Sequence, residues 1–96
     1  MKITRLDDVT PQPNPHHVDA RKVYDTEHAV AVVITLRPGE ALKRHITPVD
    51  VFFYVLQGKG TVEIGDERET VGEGTLVESP ARIPHRWINE SNAVFR

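Results

Sequence analysis

The sequence contains no cysteine. Disulfides, thiolate metal ligands and cysteine nucleophiles are therefore excluded, while the redox compartment stays open. Long apolar runs are also missing. The longest, Ala29–Ile34 and Val51–Leu56, have six residues each, against about 20 for a membrane-spanning helix. The opening segment, MKITRLDDVT, lacks the apolar stretch of a secretory signal, so a cytoplasmic location is the default expectation. Neither charge dominates: 12 Lys and Arg face 14 Asp and Glu, for a formal charge of -2. That balance gives no electrostatic reason to expect nucleic acid or a membrane surface as partner. No stretch of ten residues keeps a helical period free of Gly and Pro.

What is present reads as one small domain. The 96 residues are 39% hydrophobic and 27% charged, a globular composition. A chain of this mass buries about 65% of its surface on folding and keeps about 5,500 Å² exposed. Residues 10–17 form a Pro-rich arm: Pro11, Pro13 and Pro15 remove alternate backbone donors, and His16 and His17 follow. The rest reads as short strands between turn signals. Expected strands are Lys2–Leu6, Asp19–Tyr24, Ala29–Arg37, Ala41–Thr47, Val51–Gln57, Thr61–Ile64, Glu67–Val71, Thr75–Glu78, His85–Asn89 and Ala93–Phe95. The punctuation is Pro38-Gly39, Pro48, Gly58-Lys59-Gly60, Gly65-Asp66, Gly72-Glu73-Gly74 and Ser79-Pro80. So many short strands predict an all-β sandwich or barrel. The last strand is short, which predicts a weak edge or completion by another chain.

Alternation within these strands sorts the side chains. Val51, Phe53 and Val55 share one face, and Phe52, Tyr54 and Leu56 the other. A strand apolar on both faces is buried on both. A small barrel covers only the inner one, so the outer residues predict a homodimer through Phe52, Tyr54 and Leu56. His85, Trp87 and Asn89 also share a face. The run Asp66, Glu67, Arg68, Glu69 reads as a solvated hairpin. Arg44, Arg82 and Arg86 are candidates for a basic rim, although Arg86 alternates away from His85.

Two spaced blocks carry a specific resemblance. The first runs Gly39, His45, Thr47, Val51, Gly58, and the second Gly74, Pro80, Arg82, His85, Asn89. In spacing they resemble the two motifs of the cupin superfamily, G-x5-H-x-H-x3-E-x6-G and G-x5-P-x-G-x2-H-x3-N. The resemblance spans Gly39 to Asn89. It implies a small antiparallel cupin-type β-barrel, a jelly-roll-like double-stranded β-helix, with His45 and His85 opening on one cavity. In the family, three His and one Glu bind a metal. Here Thr47 and Val51 occupy two of those four positions and Arg82 replaces a turn glycine. His45 and His85 thus remain as an incomplete site for a divalent metal ion, with His16, His17, His28, Asp50 and Glu78 as the available sources of a third ligand.

The candidate ligand-binding residues are His45, Thr47, Val51, Phe53, His85 and Trp87, an apolar, aromatic-walled pocket for a small molecule. Phe53 and Trp87 serve equally well as core. Three functions follow: a metal-free small-molecule-binding protein, a dioxygenase-like metalloenzyme with an altered ligand set, or a metal-free isomerase or epimerase using a pocket His. The sequence gives neither nucleophile–base pair nor phosphate loop.

Overall fold

The computed structural model describes all residues, 1–96. After a 3-10 turn at Leu6–Asp8 come seven strands: β1 (Asp19–Asp25), β2 (Val30–Thr35), β3 (Val51–Tyr54), β4 (Gly60–Ile64), β5 (Glu67–Val71), β6 (Leu76–Ser79) and β7 (His85–Ile88). All pairings are antiparallel: β1 with β2, β3 with β6, and β4 between β5 and β7. Three isolated bridges tie these sheets into a barrel: Leu36 to Phe95, Ala41 to Ile88 and His45 to His85. The fold is all-β, as expected. No helix is long and apolar enough to cross a membrane.

Three expected strands are absent. Lys2–Leu6 is irregular and ends in the 3-10 turn. Ala41–Thr47 makes only two isolated bridges and Ala93–Phe95 only one. In each case a β-prone segment lacks a continuous neighbour to complete a ladder. Elsewhere turn chemistry sets the boundaries well. Gly65 has φ 56° in the two-residue turn between β4 and β5, a conformation glycine adopts freely. Arg82, in the turn before β7, has φ 66° without that freedom. Its N–H donates to Thr47 O at 2.9 Å, holding the turn against the loop before β3.

The core is small. Leu36, Leu42, Val55, Val62, Trp87 and Phe95 are buried, with Ile34, Phe53, Ile64 and Val77 packed around them. Phe95 reaches it because Gly60 has no side chain; a Cβ there would collide with the Phe95 ring. Asn89 is wholly buried and binds the barrel end together. Its Nδ2 donates to Leu36 O (2.9 Å) and Ala93 O (2.8 Å), and its Oδ1 accepts from Ser91 N–H and Oγ–H. The accessible surface is 6846 Å², roughly 1,300 Å² above that expected of a monomer of this mass. Several large apolar side chains are exposed, among them Val30, Val32, Phe52, Tyr54, Leu56 and Leu76.

On the outer face of β4, Glu63 is only 7% exposed. Its register partners are Arg68 on β5 and Arg86 on β7. Arg86 Nε donates at 2.7 Å, Arg44 Nη2 at 2.8 Å, and Arg68 completes the set before reaching Glu90. Arg44 and Arg86 therefore clamp a carboxylate outside the barrel and do not make the basic rim that the sequence suggested. The Arg86 hydrogen bond, opposed by burial and reinforced by Arg44 and Arg68, lowers the Glu63 carboxyl from 4.5 to about 2. A depressed carboxyl contributes stability above its unfolded value and loses it as pH falls through the folded one. Glu63→Gln should therefore be less stable than wild type at neutral pH, and the gap should shrink as pH falls from about 4.5 toward 2. Urea denaturation across that range is the measurement. A gap independent of pH would show that the cluster contributes through packing alone.

Candidate functional site

The site begins with the backbone of one residue, Lys43. Its carbonyl lies 3.0 Å from His45 Nδ1. A carbonyl only accepts, so Nδ1 carries the proton and neutral His45 presents a lone pair at Nε2. That Nε2 lies 3.1 Å from His85 Nε2. His85 therefore donates Nε2–H, which leaves its Nδ1 as acceptor for Ser79 Oγ–H at 2.8 Å. The chain Ser79→His85→His45→Lys43 O has one consistent direction when both rings are neutral. One added proton reverses two links: His45 Nε2–H then donates to His85 Nε2, and His85 Nδ1–H to Ser79 Oγ. Two added protons set N–H against N–H and break the contact. The contact is thus compatible with one added proton and not with two.

The backbone makes this spacing. His45 N–H donates to His85 O (3.1 Å) and His85 N–H to His45 O (2.9 Å). The reciprocal bridge fixes both Cα atoms, and the rings meet edge-on with centroids 4.4 Å apart. His85 and Ser79 are each 1% exposed. Phe53 packs edge-on against both His85 and Trp87, at 5.3 and 5.5 Å between centroids. Alternation on β6 turns Val77 and Ser79 inward and Leu76 and Glu78 outward. Burial, then the neighbouring His45, lowers the His85 pKa below the usual histidine value.

The Pro-rich arm brings a third imidazole. His16 lies 5.2 Å from His45 between ring centroids, and its Nδ1 accepts Lys43 N–H at 2.7 Å. Neutral His16 therefore carries its proton on Nε2. Burial, then His45 and Lys43, lowers its pKa. Asn14 holds the arm: Nδ2 donates to Val18 O (2.7 Å), and Oδ1 accepts His16 N–H (3.1 Å). His17 is exposed, whereas His16 is half-buried.

A divalent metal would find two donors here. Nε2 atoms 3.1 Å apart suit adjacent positions on an ion at about 2.0–2.1 Å from each. Both Nδ1 atoms are engaged by outer partners, as in metal-bound imidazoles. The rest of a shell is missing. Thr47 Oγ1 donates to Val49 O, and Val51 has no donor atom. Asp50 Oδ1 accepts Ala81 N–H, and Glu78 faces outward. His28 is paired with Glu27 on the surface, and Lys43 N–H occupies His16 Nδ1. No group of three or more His, Cys, Asp or Glu is placed to hold an ion. The residues do not fit the four-ligand centre.

An apolar cavity lies elsewhere. It has about 90 Å³ and is lined by Val32, Ile34, Leu36, Leu42, Phe53, Tyr54, Val55, Trp87, Phe95 and Arg96. Of the candidate ligand-binding residues only Phe53 and Trp87 border it. His45, Thr47, Val51 and His85 are outside its walls. Sequence reasoning missed Ser79, whose position two residues from Val77 on an inward-facing strand was the available signal.

With this geometry in place, the comparisons fix the family. The cupin domain family model matches residues 32–96, and the chain belongs to that family. Among curated proteins nothing matches. Of solved structures, TT1209 from Thermus thermophilus is 29% identical, with a TM-score of 0.83 over 99% of this chain and 90% of that one. A predicted oxalate decarboxylase from Thermotoga maritima is 17% identical, with a TM-score of 0.86 over 98% of this chain and 92% of that one. The polyketide cyclase RemF from Streptomyces resistomycificus is 22% identical, with a TM-score of 0.84 over 99% and 74%. The latter two share the fold alone.

Lowered histidine pKa values make stability pH-dependent. From the ordinary value of 6.5 downward, the unfolded chain takes up protons before the folded one. Stability is therefore full above that value and declines as pH falls through it. His85→Gln should flatten the decline between about pH 7 and pH 5. An unchanged slope in urea denaturation would contradict the burial of a neutral His85.

Proposed function

We propose that the protein binds a small hydroxylated or anionic molecule at the His45–His85 pair without the family's full metal centre. The supporting observation is the 3.1 Å contact between the two Nε2 atoms, with each Nδ1 engaged. His45 is the accessible edge of the pair, His16 Nε2–H is an adjacent donor, and Phe53 is the apolar floor. The hydrogen-bonded chain from Ser79 through His85 to His45 is a proton relay beside that ligand. The same relay supports a second reading, acid–base catalysis as in metal-free isomerases. A dioxygenase-like reaction at a facial triad needs a carboxylate beside the histidines, and both nearby candidates are engaged or turned away.

The metal-poor reading is tested by restoring the two replaced positions. Wild type should hold divalent metal weakly and below one per chain, because two imidazoles leave most of the shell to water. Thr47→His with Val51→Glu should approach one metal per chain. A buried carboxylate without metal is unfavourable, so the double variant should melt lower in chelator and recover with added metal. Mass spectrometry of metal content and thermal melts provide the readout. Stoichiometric, chelator-resistant metal in wild type would overturn the reading.

We also propose a homodimer through the outer face of β3 and β6, bearing Phe52, Tyr54, Leu56 and Leu76. The roughly 1,300 Å² of excess surface and these exposed side chains support it. Stable interfaces bury about 800 Å² per partner, and these exposed apolar side chains are what a second copy would cover. Phe52→Lys should yield a monomer in light scattering at micromolar concentration. A monomeric wild type, or an undisturbed variant dimer, would refute the face.

A further inference from the structure

We infer that the open seam of the barrel between β5 and β6 is a second binding site, for a linear alkyl diamine, with Glu67 and Glu69 as its ammonium-binding residues. The inference does not rest on the reading given for the histidines. β5 pairs only with β4, and β6 only with β3, so no ladder closes the wall between them. The opening is a groove of about 690 Å³, within the range of about 300–1,000 Å³ usual for small-molecule sites. Val62, Ile64, Val71, Val77 and Ile83 give it an apolar lining. Asp66, Glu67, Glu69 and Glu78 bring carboxylates to its walls. The one cation there, Arg68, is engaged by Glu63 and Glu90.

Register sets Glu67 and Glu69 apart from the other exposed carboxylates. Residues directly opposite on paired strands project to the same face of a sheet. Ile64 lies opposite both His85 and Glu67, and Val62 opposite both Trp87 and Glu69. His85, Trp87 and Val62 are buried inside the barrel. Glu67 and Glu69 therefore stand on the inner face, at the open end of two inward rows, whereas Glu63 and Arg68 stand on the outer one. Two residues apart on one strand, their Cα atoms are separated by about 7 Å. Paired carboxylates at that spacing, with apolar side chains beside them, match two ammonium groups joined by a short methylene chain. The heads would meet Glu67 and Glu69 while the chain lies along Val62 and Ile64. A metal ion is not served here, since no group of three or more His, Cys, Asp or Glu is placed to hold one. Charges on the inner face of an edge strand also guard it against pairing with another chain. That role alone predicts no saturable uptake of a small cation.

Amide NMR of nitrogen-15-labelled protein at low ionic strength reads the groove residue by residue. Cadaverine, pentylamine and pentanol share one chain length and carry two, one and no ammonium groups. Cadaverine should shift the β5 amides saturably, pentylamine more weakly, and pentanol least. Glu67→Gln with Glu69→Gln, both at exposed positions, should weaken cadaverine about tenfold, the worth of two exposed ion pairs. Glu27→Gln, on the loop between β1 and β2, should change nothing. Leu76 and Glu78 border the proposed dimer face, whereas Glu67 and Glu69 lie on β5, away from it. The titration is therefore repeated on Phe52→Lys, where the same shifts are expected; their loss would overturn a groove complete within one chain. Equal affinity for cadaverine and pentylamine overturns the two-carboxylate assignment. No saturable shift on β5, or one that survives the double substitution, overturns the site and leaves the two glutamates as edge guards.

Discussion

The reciprocal bridge between His45 and His85 is the constraint on which the rest of the site depends. Three backbone hydrogen bonds attach the irregular segment 41–47 to β7, and the two between His45 and His85 set their imidazoles in contact. Once the Cα atoms are fixed, the Lys43 carbonyl decides which nitrogen of His45 is protonated. The order of protons through His85 to Ser79 then follows without further freedom. The Lys43 N–H meanwhile fixes His16. The backbone of one residue thus orients rings contributed by the arm and by the barrel.

A second constraint is size. A chain of 96 residues cannot build a large core, and here six side chains form it. The barrel compensates with polar ties at its ends and flanks. Asn89 joins Leu36 to Ala93 at one end, and Glu63 gathers Arg44, Arg68 and Arg86 on one outer face. Where neither core nor polar tie is available, at Phe52, Tyr54, Leu56 and Leu76, the apolar surface stays exposed.

Much of the fold was legible in the sequence because strand periodicity and turn residues are local signals. The boundaries of β4 and β5 followed from Gly65-Asp66, and the two faces of β3 from strict alternation. The overpredicted strands, Lys2–Leu6, Ala41–Thr47 and Ala93–Phe95, have suitable residues but no complete neighbour, and neighbours are not a local property. The meeting of His45 with His85 was legible only through the spacing of two motifs 40 residues apart. Alternation on β6 could have pointed to Ser79, but no local signal showed that its hydroxyl meets His85 or that the arm turns His16 toward His45. The separate location of the apolar cavity depends on how Phe53 and Trp87 pack against each other, which one sequence does not reveal.

The most direct test of the neutral, proton-sharing histidine pair is nitrogen-15 NMR of the imidazoles above the ordinary histidine pKa of about 6.5. The account predicts His45 protonated at Nδ1, His85 protonated at Nε2, and His16 protonated at Nε2, all in metal-stripped protein. His45 protonated at Nε2 with His85 protonated at Nδ1, or shifts that change when metal is removed from the purified protein, would contradict it.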